Sequence, residues 1–134
     1  MDAVEKVYRF YESCRHEKFV YGKSARGLPL VGFFIGRREY PVTLFQYAIH
    51  AREWVTALLA LEHVKRGLSR GGAYILPLAN PDGAALSLRE EGFSLWKANA
   101  EGVDLNVNFP ALWGTGRANV FSPAPENYAG AFPL

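Results

Sequence analysis

Residues 42–54, VTLFQYAIHAREW, join an apolar run to the helix-like stretch that begins at Val55. Residues 42–49 are rich in β-branched and aromatic side chains and are apolar on nearly every position. That pattern predicts a strand covered on both faces, with His50 as its last residue. Residues 53–68 place Leu58, Leu61 and Leu68 on one helical face and end amid Gly67, Gly71 and Gly72, which predicts a helix with a glycine stop. Residues 73–79, AYILPLA, form the next apolar extended run. Strand, helix and strand in this order make a β-α-β unit, because a crossover helix returns the chain to a parallel neighbour. The chain is therefore expected to be an α/β protein with a partly parallel sheet.

Working outward, residues 28–35, LPLVGFFI, and an extended segment opening at residues 19–21 flank the turn-forming GKSARG at 22–27, which predicts a hairpin. Val4, Val7, Tyr8, Phe10 and Tyr11 give residues 2–14 the spacing of an amphipathic helix. Residues 36–41 read as a polar connection, NPDG at 80–83 as a turn, and residues 84–91 as a short helix. From residue 92 onward glycine and proline recur without a period, as in long ordered loops, which in a compact domain carry function. Residues 1–134 are expected to be one domain, and the stretch ending at Leu134 closes without a strand or helix, as in the N-terminal portion of a larger catalytic domain.

The 134 residues are 49% hydrophobic, enough to build a core, so disorder is excluded. Fifteen basic and thirteen acidic residues are scattered along the chain and leave a net charge of +2. No basic patch for nucleic acid and no apolar stretch for a membrane results, and neither partner is expected. The first twenty residues lack the apolar segment of a secretion signal, which predicts a cytoplasmic location. Cys14 is the only cysteine, so no internal disulfide forms, and its place in the first helix makes it a core residue.

Chemistry concentrates at HAREW. A histidine at the end of a strand and a glutamate one turn later can converge on one metal ion, with imidazole nitrogen and carboxylate oxygen at about 2 Å. The spacing alone is weak, since a stray HxxE arises in about one such chain in five, and on the pair alone a buried structural His–Glu hydrogen bond is the better explanation. His16 and His63 have Phe19 and Arg66 three places on, and His63 is expected on the helix surface.

Three further segments change the weight of that pair: YGKSARGLPL at 21–30, NPDG at 80–83 and GVDLNVNF at 102–109. With HAREW, in this order and spacing, the sequence resembles the M14 zinc carboxypeptidase family. The resemblance implies a three-layer fold, a mixed β-sheet flanked by helices, and a peptide-hydrolysing enzyme that uses Zn2+. It makes His50 and Glu53 the first two zinc ligands and Asp104 the acceptor for the other ring N–H of His50, a contact that fixes the tautomer of a ligating histidine. It makes Arg52, Lys97 and Asn106 substrate-binding groups, Lys97 as the cation for an oxyanion. The family's third ligand, a histidine, and its general-base glutamate fall beyond Leu134, so no catalytic residue is assigned within the chain.

Two positions depart from the carboxypeptidase pattern. Val107 stands where an arginine grips a substrate's terminal carboxylate, and Lys97 replaces a second arginine. Valine cannot make a bidentate, charge-assisted contact. The string WKANAEGVDLNVNFPALWGTG resembles the bacterial branch that cleaves γ-D-glutamyl-meso-diaminopimelate bonds in peptidoglycan-derived peptides. The alternative from another class is a catalytically incomplete module, or pseudo-enzyme, that keeps the fold and at most binds.

Overall fold

A computed structural model describes residues 1–133. Its elements are α1 (Ala3–Ser13), β1 (Glu17–Lys23), β2 (Pro29–Gly36), β3 (Val42–Gln46), α2 (Val55–Arg66), β4 (Gly72–Leu76) and α3 (Pro81–Arg89), with single 3-10 turns at Ala51–Glu53 and Leu105–Val107. The helix α1 starts where its sequence says it should. The Asp2 carboxylate accepts the Glu5 N–H and the Glu5 carboxylate accepts the Asp2 N–H, a reciprocal cap that satisfies two otherwise orphaned donors. Arg89 at the end of α3 donates to Asp2 at 2.7 Å, tying the two helices together.

The four strands form one sheet in the order β1-β2-β4-β3. The hairpin β1–β2 and the pair β2–β4 are antiparallel, and β3–β4, joined through α2, are parallel. This is the β-α-β unit expected from residues 42–79. Val31, Phe33 and Ile35 of β2 and Ala73 and Ile75 of β4 point to one face, where they pack against Val4 and Val7 of α1 and Ala57, Ala60, Leu61 and Val64 of α2. Ala84 brings α3 onto the same face. At the corner between β2 and β4, Gly36 has φ 82° and lies against the Gly71 carbonyl, so no side chain fits there.

Two expectations need correction. The apolar run 42–49 predicts a strand buried on both sides, yet β3 stops at Gln46, all five of its residues are exposed, and it occupies the sheet edge among the described residues. Apolar composition cannot specify which element covers a strand. Phe45 meets the His63 ring of α2 edge-on at 4.8 Å, whereas Leu44 on the opposite face is 62% exposed. That opposite face continues through Tyr74, Phe34 and Phe19, aromatic rings stacked edge to face with no described helix above them. The second correction is NPDG, which is the first turn of α3. Asn80 caps it by accepting the Gly83 N–H, and Pro81 occupies the first helical position, where no N–H is needed. Residues 93–133 are loop, as expected, apart from the 3-10 turn Leu105–Val107, and no described helix is long and apolar enough to cross a membrane.

Two measurements check this architecture. Burial pushes the Asp2 carboxyl up, but Arg89 and the Glu5 N–H outweigh it and hold it below its ordinary value of 3.8. Its contribution is therefore complete above that value and fades as pH falls through the lower folded one. In urea titrations Asp2→Ala should cost about 1 kcal/mol at pH 7, with the difference narrowing below pH 3.8. The exposed face makes a contrasting claim: Leu44→Lys should change stability by less than about 0.5 kcal/mol, whereas Phe33→Ala should cost roughly 3–5 kcal/mol.

Candidate metal centre

Past β3 the chain leaves regular strand geometry but stays beside the segment that follows β4. Tyr47 N–H donates to the Leu76 carbonyl, and the Ala79 and Asn80 N–H groups donate to Tyr47 and Ala48. Ala48 then turns the chain with φ 49°, a left-handed conformation that costs a non-glycine residue about 1 kcal/mol. Thr56 compensates, its hydroxyl accepting the Ala48 N–H at 2.9 Å and donating to the Glu53 carbonyl at 2.8 Å. His50 is consequently not the last residue of the strand. It caps the 3-10 turn Ala51–Glu53, which folds Glu53 back over it.

The result is a close pair. His50 Nδ1 lies 3.0 Å from Glu53 Oε1, with the imidazole 16% exposed and the carboxylate 47% exposed. Two ligands on a tetrahedral zinc with bonds of 2.0–2.1 Å sit about 3.3 Å apart, so the pair needs only a small adjustment to share a cation. The other ring nitrogen, Nε2, is buried and without a hydrogen-bond partner, and it faces Asp104 Oδ1 at 3.8 Å. That is beyond hydrogen-bond range, and one small side-chain shift would close it. The pairing expected for His50 is thus present as an approach rather than a made bond.

Asp104 is fully buried. Its Oδ1 accepts the Asn106 N–H at 3.2 Å, capping the turn Leu105–Val107, and its Oδ2 accepts the Asn127 N–H at 3.0 Å and Lys97 Nζ at 2.9 Å. Burial pushes this carboxyl up, but Asn127, Lys97 and Asn106 together hold it below its ordinary value. Lys97, expected to face substrate, is drawn inward onto Asp104 and is only 16% exposed. Arg52 and Asn106 are exposed. Among the described residues Arg52 makes no ion pair, while Asn106 and Val107 line a surface cavity of about 220 Å³ together with Leu112 and Asn119.

Loops brace the pair from behind. The Ala51 and Arg52 N–H groups donate to the Lys97 and Trp96 carbonyls, and the Lys97 and Ala98 N–H groups both donate to Pro125. Sequence inspection missed Asn80 as a site residue. Its buried amide donates to Ile49 at 3.2 Å and Ala98 at 3.0 Å, pinning the His50 segment to the Lys97 loop, and the only advance signal was its place in NPDG. His63 stays away, its Nδ1 against the Tyr47 hydroxyl at 2.8 Å. Among the described residues no three His, Cys, Asp or Glu side chains gather as a metal site, so the chain offers His50 and Glu53 as a two-ligand arrangement.

A solvent-facing His–Glu pair backed by a buried carboxylate, at the end of a parallel strand in an α/β sheet, is chemistry suited to a divalent metal. The zinc carboxypeptidase model of the M14 peptidases matches residues 8–134, and the chain belongs to that family. It is 31% identical over 134 residues to a metallocarboxypeptidase A-like protein of Trichophyton verrucosum, covering 84% of this chain and 31% of the relative. It is 37% identical over 94 residues to gamma-D-glutamyl-L-diamino acid endopeptidase 1 of Lysinibacillus sphaericus, covering 52% of this chain and 24% of that one. Bovine thrombin-activatable fibrinolysis inhibitor, solved with a tick carboxypeptidase inhibitor, superposes with a TM-score of 0.77 at 26% identity over 97% of this chain and 48% of its own. Murein-tripeptide amidase MpaA from Escherichia coli O157 gives a TM-score of 0.58 at 31% identity, over 90% and 49% of the two chains. The chain spans about a third or less of the curated relatives and about half of these solved ones.

Because Asp104 and Lys97 neutralise one another out of water, Asp104→Ala should destabilise the fold by about 2–3 kcal/mol. Chemical denaturation at neutral pH checks it, and a loss under 1 kcal/mol would mean that the pair is solvated.

Proposed function

We propose that His50 and Glu53 supply two of the protein ligands of a catalytic zinc, and that the chain forms the N-terminal part of a peptide-hydrolysing domain. The observation that carries this is the 3.0 Å approach of His50 Nδ1 to Glu53 Oε1, with Nε2 turned toward a buried carboxylate. When bound, zinc would polarise a scissile carbonyl and lower the pKa of a bound water. The chain's own residues do the rest. With its proton on Nε2, His50 would offer Nδ1 to the metal, and Asp104, now 3.8 Å from Nε2, would accept that proton's hydrogen bond after a small side-chain shift. Glu53 brings negative charge on the solvent side, where a cation can enter. Arg52 and Asn106, both exposed, contact the substrate, Arg52 at a carbonyl. A third ligand and a general base come, by the family resemblance, from sequence corresponding to the remainder of the longer relatives.

The substrate reading follows from Val107. Without a guanidinium at that position a free terminal carboxylate has no bidentate partner, so specificity must rest on other groups of the substrate. A γ-D-glutamyl-diaminopimelate peptide offers an amine and a carboxylate on its side chain. The likeness to an endopeptidase of γ-D-glutamyl-L-diamino acids and to a murein-tripeptide amidase supports this choice.

Zinc binding by competition with a chromophoric chelator, compared between the wild-type chain and His50→Ala, tests the ligand assignment. A loss of at least about 100-fold is expected, and equal affinity would overturn it. In a longer protein that also carries the third ligand and the general base, hydrolysis of L-Ala-γ-D-Glu-meso-diaminopimelate, set against a peptide with a free C-terminal aromatic or basic residue, tests the substrate; preference for the second peptide would overturn it. A chain that binds no zinc is the non-catalytic module, a reading favoured by the absence of a third ligand among the described residues.

A further inference from the structure

We infer that Lys97 is a positioning residue of the metal site, acting through Asp104 on His50, rather than a cation that meets the substrate's oxyanion. The inference rests on the zinc reading of His50 and Glu53.

An ionised carboxylate has about four acceptor positions. Three on Asp104 are taken, by the N–H groups of Asn106 and Asn127 and by Lys97 Nζ. The remaining one, on Oδ1, faces His50 Nε2 across 3.8 Å, and Nε2 is itself buried and unpartnered. The two unsatisfied positions are therefore aimed at each other. These three contacts hold the carboxylate in its orientation, and Lys97 supplies the one that is charged. The lysine main chain reinforces the arrangement, because its carbonyl accepts the Ala51 N–H next to His50. Lys97 is thus bonded to the His50 segment at its backbone and to the carboxylate behind His50 at its side chain. A group committed twice in this way is poorly placed to swing toward substrate.

The test is a double-mutant cycle on zinc affinity with Lys97→Met, Asp104→Asn and the double variant, each verified as folded by circular dichroism. Lys97→Met should weaken zinc binding by about 10–100-fold, and the double variant should be no weaker than Asp104→Asn alone. Unchanged zinc affinity in Lys97→Met, or additive losses in the double variant, would overturn the inference. Failure of the zinc reading is distinguishable, because then the wild-type chain binds no zinc. In that case the metal-free protein decides. The 15N shifts of the His50 ring should respond alike to Lys97→Met and Asp104→Asn, and a ring indifferent to Lys97 would overturn the inference. Should Lys97→Met not fold, the wild type alone serves. The Lys97 ammonium protons should be slow to exchange at low temperature, as in a buried ion pair, and rapid exchange would contradict the assignment.

Discussion

One buried carboxylate organises this protein's functional end. Asp104 has no contact with water, and leaving it unpaired there would cost several kcal/mol. The chain around it is arranged to supply donors: the turn Leu105–Val107 folds over Oδ1, the Asn127 backbone closes on Oδ2, and Lys97 brings the compensating charge. The donors come from loops and one 3-10 turn rather than from a helix or strand, so satisfying Asp104 is part of what gives residues 96–128 a fixed path. That path in turn supports HAREW, since the Trp96 and Lys97 carbonyls receive the N–H groups of Arg52 and Ala51. The His–Glu pair is held in place by loops that a carboxylate has ordered.

The sheet contributes in a different way. Its parallel pair β3–β4 brings the segments after both strands side by side, and Asn80 welds them with hydrogen bonds to Ile49 and Ala98. A site built at the carboxyl ends of parallel strands borrows the rigidity of the sheet while its reacting groups stand on turns. The helices α1, α2 and α3 all stabilise the face of Phe33 and Ile75, leaving the face of Phe34, Tyr74 and Leu44 without a described helix. The chain therefore combines a well-packed layer with an aromatic face and an apolar edge strand.

Much of this was legible in the sequence because it depends on local periodicity. The first helix, the hairpin, the β-α-β unit and the loops after residue 92 follow from apolar spacing and turn chemistry, and the ordered motifs that carry the family resemblance agree with them. What failed was tertiary. Residues 42–49 look the same whether a strand is covered or lies at an edge, and the Ala48 turn is invisible because alanine gives no hint of a positive φ. The pairing of His50 with Glu53 was readable from their spacing of three. The capture of Lys97 by Asp104 was not, since it joins residues whose approach depends on loops closing around Asn127. NPDG was read as a turn because proline and glycine suggest one, although proline at a first helical position suits a helix start equally well.

A metal ion taken by His50 and Glu53 must be distinguished from one held by the other candidate ligands of the chain, which include His16, His63 and Cys14. Zinc K-edge absorption of the zinc-loaded chain, recorded for the wild type and for His50→Ala, addresses this most directly. A His50–Glu53 site should show one imidazole with the remaining scatterers oxygen at about 2.0–2.2 Å, and loss of the imidazole signature in His50→Ala. Two or more imidazoles, or a sulfur scatterer at about 2.3 Å from Cys14, would contradict it.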